Sequence, residues 1–175
     1  MTTLLADLQS LFFSAAVGTV IMTLSTMLSL LKQGKARYAV VDSQGKKMLA
    51  HPYKPWQIVA KEYKDGADAA YTACRSYENS KEWLQLSLPL MWTFAIFGEA
   101  LPYATQNIVS ILTFALSAIW FIGNQMYTTG YTAEKPEGRA TGFKIRTTAF
   151  RVWLYGAIAA VTCYSVRHFG LYDLP

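Results

Sequence analysis

Two long stretches of this chain contain no charged residue, and they constrain its fold more than any other feature. The first has 24 residues between Asp7 and Lys32, and the second has 34 residues between Glu99 and Glu134. A helix that crosses the hydrocarbon core of a bilayer needs about 20 mostly apolar residues. Both stretches are long enough, so each predicts a transmembrane helix.

Two shorter uncharged stretches cover residues 83–98 and 152–166, and each is too short for a full span. Their helices must therefore begin earlier and carry polar residues into the apolar layer. We predict an all-α fold, an integral membrane four-helix bundle that is polytopic and forms one domain over residues 1–175. The expected helices cover about residues 8–32, 68–98, 101–132 and 145–167.

A soluble four-helix bundle is the alternative, and it would show a polar stripe along each helix. The first and third helices are apolar or weakly polar all round, which favours the membrane. Charged residues make up 15% of the chain, whereas a typical soluble domain has about 25%. The same composition argues against a disordered chain, which needs high charge and low hydrophobicity.

The lysines and arginines predict the orientation of the helices. They concentrate in the loop at residues 33–67 and in residues 135–151, around the start of the fourth helix. Since cytoplasmic loops carry an excess of Lys and Arg, we expect both loops in the cytosol and both termini on the other side. Nucleic acid is not an expected partner, because no basic and aromatic surface module remains outside the membrane. Within the first loop, residues 39–41 suit a short strand and residues 57–70 look helical.

Three polar residues near the start of the second predicted helix lie on the same face. Arg75, Asn79 and Glu82 have the spacing i, i+4 and i+7. Ionisable groups at membrane depth usually face a bundle interior or a wet cavity. Arginine suits a carboxylate, asparagine donates and accepts, and glutamate holds an amine, so the three suit a zwitterionic, peptide-like ligand. The alternative is a structural clasp in which Arg75 pairs with Glu82, and the spacing leaves both interpretations open.

A similar row ends the third helix, where Trp120, Asn124, Tyr127 and Tyr131 share a face. The alternative is an aromatic belt at the membrane interface. The next segment is a predicted turn that brings Arg139 back to the same membrane surface. No metal site is expected, because His51 and His168 fall on opposite sides of the membrane.

The pattern Arg75-x-x-x-Asn79-x-x-Glu82 at the start of a second membrane helix resembles the MAPEG family, the membrane-associated proteins of eicosanoid and glutathione metabolism. The stretch from Gly123 to Gly142 is similar to the microsomal glutathione transferase type 3 branch of that family. So are Ala36-Arg37-Tyr38 and the stretch from Cys163 to Gly170.

The resemblance implies a homotrimer that binds glutathione between subunits on the cytosolic side, with a hydrophobic lipid co-substrate against the apolar helix faces. The residues that it implies for glutathione binding are Arg75, Asn79, Glu82, Asn124, Tyr127 and Tyr131. It implies that Arg139 stabilises the glutathione thiolate, with Arg37 as a further basic candidate. A nearby cation favours a thiolate over a thiol of pKa about 8.5.

Two positions depart from the family pattern. Asn124 stands where active relatives commonly carry arginine, and this removes a charge from the expected pocket. Trp83 stands where some relatives place tyrosine.

Two functions are therefore expected. The first is a glutathione transferase or peroxidase acting on lipid-derived electrophiles, in the endoplasmic reticulum or a mitochondrial membrane. The alternative is a non-catalytic lipid-binding adaptor or an accessory subunit of a larger membrane complex.

Overall fold

Four long helices dominate the computed structural model, which describes residues 2–42, 44–48, 63–132 and 134–170. They are α1 (Thr2–Tyr38), α2 (Ala67–Phe97), α3 (Gln106–Gly130) and α4 (Ala140–His168). Three short strands lie between α1 and α2, namely β1 (Val40–Asp42), β2 (Lys47–Met48) and β3 (Tyr63–Asp65). Single 3₁₀ turns, Gly98–Ala100 and Pro136–Arg139, precede α3 and α4. The described chain is helical apart from the small sheet, as the sequence predicts.

The helix ends differ from those expected from the uncharged stretches. The first helix runs to Tyr38 rather than to residue 32, and the fourth begins at Ala140 rather than at residue 145. Lysine and arginine are good helix formers, so a helix continues through the charges that end an apolar stretch. The third helix begins at Gln106 rather than at residue 101, because Tyr103 has a φ of 61° in the turn before it.

The loop between α1 and α2 contains a three-stranded antiparallel sheet in the order β2-β1-β3. The strand expected at residues 39–41 is present one residue later, as β1. The helix expected over residues 57–70 is wrong at Tyr63–Asp65, which pair with β1 instead. Gly66 separates this strand from α2 with a φ of +81°, which favours glycine. Residues 57–62 of that expectation lie outside the described part.

The chain divides into two compact units, and each contains parts of all four helices. The first unit comprises Met1–Met22, Gln85–Phe121 and Arg146–Pro175, and the second comprises Thr23–Leu84 and Ile122–Ile145. Glycines bring helices together in the first unit. A Cβ atom on Gly18 would lie 2.5 Å from Ser117 Oγ, and one on Gly156 would lie 2.8 Å from the ring of Phe94. Small residues at helix contacts let backbones approach closely.

Hydroxyl and amide groups connect the helices of the second unit. The side chains of Asn124 and Gln125 both donate to Ser25 Oγ, at 2.9 and 2.7 Å. Lys32 donates to the carbonyl of Thr128. The amide of Gln33 donates to Cys74 Sγ at 3.3 Å, where Cys74 packs in a small buried cluster beside the sheet. Polar contacts therefore link α1 to both α2 and α3 in this unit.

Many large apolar side chains lie on the outside of the helices, and the interior combines small or hydroxyl-bearing residues with a few large ones such as Trp120 and Trp153. The exposed residues of α3 include Ile108, Ile111, Ile119, Ile122 and Met126. Its buried residues include Val109, Thr113, Ser117, Trp120, Asn124 and Thr128. Three helices of the described residues are long and apolar enough to cross a membrane, and they lie within Phe12–Tyr38, Gln106–Gly130 and Glu137–His168. Helix α2 is not among these three helices. Its first half contains five charged residues, from Asp68 to Glu82.

Replacing Ser87 with alanine should destabilise the first unit. Trp120 is fully buried, and its Nε1–H donates to Ser87 Oγ at 3.2 Å. Removing the acceptor leaves a buried donor unpaired, at a cost of about 1–3 kcal/mol. Thermal unfolding followed by circular dichroism should show a lower midpoint for Ser87→Ala. The control is Thr162→Ala, because the exposed Thr162 hydroxyl bonds only to its own helix at Ile158. Equal midpoints for the two variants would contradict this account.

Candidate functional site

A cavity of about 540 Å³ lies within the second unit, where parts of three helices and the turn before α4 meet. Volumes of roughly 300–1,000 Å³ are typical of small-molecule sites. Eight residues line it: Arg75, Asn79, Tyr127, Tyr131, Glu137, Arg139, Ala140 and Phe143. We call it the Tyr127 cavity. Five of the sequence-predicted site residues therefore meet there, namely Arg75, Asn79, Tyr127, Tyr131 and Arg139.

The spacing of residues along α2 and α3 brings four of these side chains to the cavity. Arg75 and Asn79 are one turn apart on α2, so both point to the same side of that helix. Tyr127 lies near the end of α3, and the Tyr131 N–H donates to the Tyr127 carbonyl at 3.0 Å. This bond continues the helical pattern by one residue, and the two rings are 5.8 Å apart. Tyr127 is buried, whereas Tyr131 is half-buried.

Three glycines place the other wall of the cavity. A Cβ atom on Gly130 would lie 2.3 Å from the carbonyl oxygen of Gly138, and one on Gly142 would lie 2.1 Å from the backbone nitrogen of Tyr127. Backbone atoms cannot move aside as a flexible side chain can. Only glycine therefore lets the turn Pro136–Arg139 and the start of α4 lie directly against the end of α3. This contact brings Glu137 and Arg139 to the tyrosines.

The charges of the cavity are mixed. The guanidinium of Arg139 lies over the ring of Tyr131, 4.4 Å from its centroid, in a cation–π contact. Arg75 forms an ion pair with Glu78, one turn along α2, at 3.2 Å. This pair is partly exposed, so it contributes little to stability. Arg75 thus pairs with Glu78 and not with Glu82, its partner in the alternative interpretation as a structural clasp. The lining contains two guanidinium groups and the carboxylate of Glu137.

Three sequence-predicted residues lie elsewhere. Glu82 is exposed on α2 and does not line the Tyr127 cavity. Asn124 is fully buried and donates to Ser25 Oγ, so it belongs to the contact between α1 and α3. Arg37 lines a different cavity, at the end of α1. Glu82 and Asn124 lie on the helices that carry Arg75 and Tyr127, and Arg37 lies on α1, which contributes no residue to the Tyr127 cavity.

Sequence reasoning missed Glu137 and Phe143 as cavity residues. Glu137 lies two residues before Arg139 in the same 3₁₀ turn, and this proximity was the available signal. Phe143 forms an apolar part of the wall, and its ring meets that of Trp83 edge-on with centroids 5.7 Å apart. Trp83 therefore supports the apolar side of the cavity.

Within the described residues, no group of three or more His, Cys, Asp or Glu side chains could hold a metal ion. Cys74 is buried beside Gln33, and Cys163 is half-buried on α4. No protein-family model matches the chain, and a search of curated proteins finds no match.

Replacing Gly142 with alanine should displace the turn that carries Arg139. The new Cβ would overlap the backbone of α3, and overpacking of this kind costs about 1–3 kcal/mol. We expect a lower unfolding midpoint by circular dichroism. Gly34→Ala is the matched control, because Gly34 lies in α1 with no atom near a new Cβ. Alanine there should be neutral or stabilising by up to about 1 kcal/mol. A Gly142→Ala protein as stable as Gly34→Ala would refute the close packing.

Replacing Asn124 with arginine should disrupt folding rather than add a cation to the Tyr127 cavity. The side chain of Asn124 is fully buried on a serine of α1, so the substitution would bury a charge and a larger side chain. An unpaired buried charge is strongly unfavourable. The measurement is the yield of folded, monodisperse protein by size-exclusion chromatography. Asn107→Arg, at an exposed position of α3, serves as the control. A well-folded Asn124→Arg protein would show that the bond to Ser25 is dispensable.

Proposed function

We propose that this chain is an integral membrane protein that binds glutathione in the Tyr127 cavity and transfers it to hydrophobic electrophiles. The membrane location is supported by three long apolar helices and by the side chains that they expose. Phe13 and Ile111 are 71% and 66% exposed, whereas Ser25 and Ser117 are fully buried. Such a distribution suits lipid, because helices associate in membranes through small and hydroxyl-bearing residues.

The observation that carries the proposal is the mixed charge of the Tyr127 cavity. Glutathione has two carboxylates, one ammonium group and one thiol. The cavity offers two guanidinium groups, from Arg75 and Arg139, and one carboxylate, from Glu137. Arginine forks bind carboxylates through paired hydrogen bonds. Asn79 and the phenols of Tyr127 and Tyr131 supply neutral donors and acceptors for the peptide groups between the charged ends.

The same groups suit activation of the thiol. A thiol of pKa about 8.5 is mostly protonated at neutral pH, and an adjacent cation or hydroxyl donor lowers that pKa. Lowering it by two units corresponds to about 2.7 kcal/mol. The guanidinium of Arg139 lies over the ring of Tyr131, and Arg139 lines the cavity, so its positive charge is close to a ligand bound there. In a substitution, the thiolate sulfur forms a bond to an electrophilic carbon and the leaving group departs from that carbon with the bonding electron pair. In a conjugate addition, the sulfur bonds to the β carbon of an unsaturated carbonyl compound, and the α carbon takes up a proton from water.

The hydrophobic co-substrate would approach from the apolar wall. Phe143 lines the cavity and packs against Trp83, while exposed apolar side chains cover neighbouring parts of the helices. Lipid-derived electrophiles dissolved in the bilayer are therefore the proposed substrates, and reduction of lipid hydroperoxides is the related activity. From the MAPEG resemblance we also propose a homotrimer in the endoplasmic reticulum membrane.

A second function is favoured by one observation. Asn124 replaces the arginine common in active relatives, and it serves a structural contact with Ser25. Position 124 therefore supplies no cation for a ligand. A non-catalytic protein that binds lipid, or an accessory subunit of a larger membrane complex, is the resulting alternative. Glutathione binding without turnover would support it over the enzyme.

Replacing Arg75 or Arg139 with glutamine should weaken glutathione binding by about 10- to 100-fold, because each removes a hydrogen bond to a carboxylate worth about 1.5–3 kcal/mol. Binding is measured by isothermal titration calorimetry in detergent, and turnover by conjugation of 1-chloro-2,4-dinitrobenzene. The control is Arg151→Gln, an exposed arginine of α4 outside the cavity. Absence of binding by the parent protein would refute the proposal.

Two glutamates provide a sharper comparison. Glu137 lines the cavity and Glu82 does not, although Glu82 belongs to the family pattern. If the ammonium group of glutathione binds in the cavity, Glu137→Gln should weaken binding and Glu82→Gln should leave it unchanged. The reverse result would place glutathione on the outer face of α2 instead.

A further inference from the structure

A second cavity, of about 620 Å³, lies within the second unit at the end of α1. We call it the α1-end cavity. Lys35 and Arg37 from the last turns of α1 line it, together with Lys47 from β2. None of the described residues that line it is acidic. The charged residues of its described lining are therefore all positive, unlike those of the Tyr127 cavity.

The other side of the α1-end cavity is apolar. Leu30, Leu31 and Tyr38 contribute to the lining and are 42%, 61% and 65% exposed. Leu30 and Leu31 belong to the apolar stretch Phe12–Tyr38, and Lys35 and Arg37 follow within the next two turns of the helix. The apolar and cationic parts thus succeed one another along the axis of α1. An amphiphile with an anionic head group and an acyl chain has the same order of polarity.

We propose that the α1-end cavity binds the phosphate head group of an anionic membrane lipid, with its acyl chain along Leu30 and Leu31. Cationic side chains at the end of a membrane helix recognise anionic head groups by this combination of charge and adjacent apolar surface. Lysine stems also lie along apolar surface while their ammonium groups reach the head-group layer. The inference rests on the proposed membrane location but not on glutathione binding.

The experiment uses the full chain reconstituted in phosphatidylcholine vesicles that contain a minority of phosphatidylglycerol. The protein is then extracted in mild detergent, and the lipids that remain bound are counted by native mass spectrometry. We expect the parent protein to retain phosphatidylglycerol over phosphatidylcholine. The double variant Lys35→Gln/Lys47→Gln should lose about tenfold or more of this retention, since each cation near an anionic lipid surface contributes roughly fivefold.

The matched control is Lys81→Gln, which removes a charge from an exposed lysine of α2 outside the cavity. Retention in this variant should equal that of the parent. Glutathione binding by the double variant should also equal that of the parent, because neither lysine lines the Tyr127 cavity. This readout separates failure of the lipid site from failure of the proposed glutathione site.

Four results would overturn the inference. Unchanged retention in the double variant would remove the site, and an equal loss in Lys81→Gln would reduce it to general charge attraction. Inorganic phosphate that displaces the lipid at equal concentration would show a site for the free anion alone. A chain that does not enter vesicles at all would refute the membrane location and the lipid site with it.

Discussion

The last turn of α3 lies against the turn before α4 at a distance that only glycine allows. Gly130 and Gly138 face each other, and Gly142 lies against the backbone of Tyr127. No side chain separates the two segments, so the rings of Tyr127 and Tyr131 and the charges of Glu137 and Arg139 line one small volume. The chemistry of the cavity thus depends on a backbone contact between residues that carry no functional group themselves.

The packing elsewhere follows a related constraint. Helices with large apolar side chains on the outside must meet through small or hydroxyl-bearing residues, such as Gly18 with Ser117 and Ser25 with Asn124. A buried amide or hydroxyl needs a partner, and these contacts provide one between helices. Asn124 is therefore bound into the interior of the second unit. This role explains why a residue on the same face as Tyr127 does not reach the cavity.

Periodicity and charge predicted a large part of this arrangement. Two pairs of cavity residues are one helical turn apart, namely Arg75 with Asn79 and Tyr127 with Tyr131. Residues with i to i+4 spacing lie side by side on a helix, so the sequence predicts that the members of each pair line the same site. Glu82 lies seven residues from Arg75, which is about 10 Å along the helix axis. A shared face does not bring residues so far apart into one small cavity. The strand Tyr63–Asp65 was missed because its pairing with β1 depends on partners distant in sequence.

The Tyr127 cavity and the α1-end cavity differ in the ligand that their charges can hold. The Tyr127 cavity combines two guanidinium groups with a carboxylate, so a zwitterion satisfies it better than a simple anion does. The α1-end cavity has three cations beside leucine and tyrosine, so an anion with an apolar chain satisfies it better than a zwitterion does. Arg37, which the family resemblance offers as a further basic candidate, lies in the second of these. The proposed anionic lipid would give its charge a partner in that cavity.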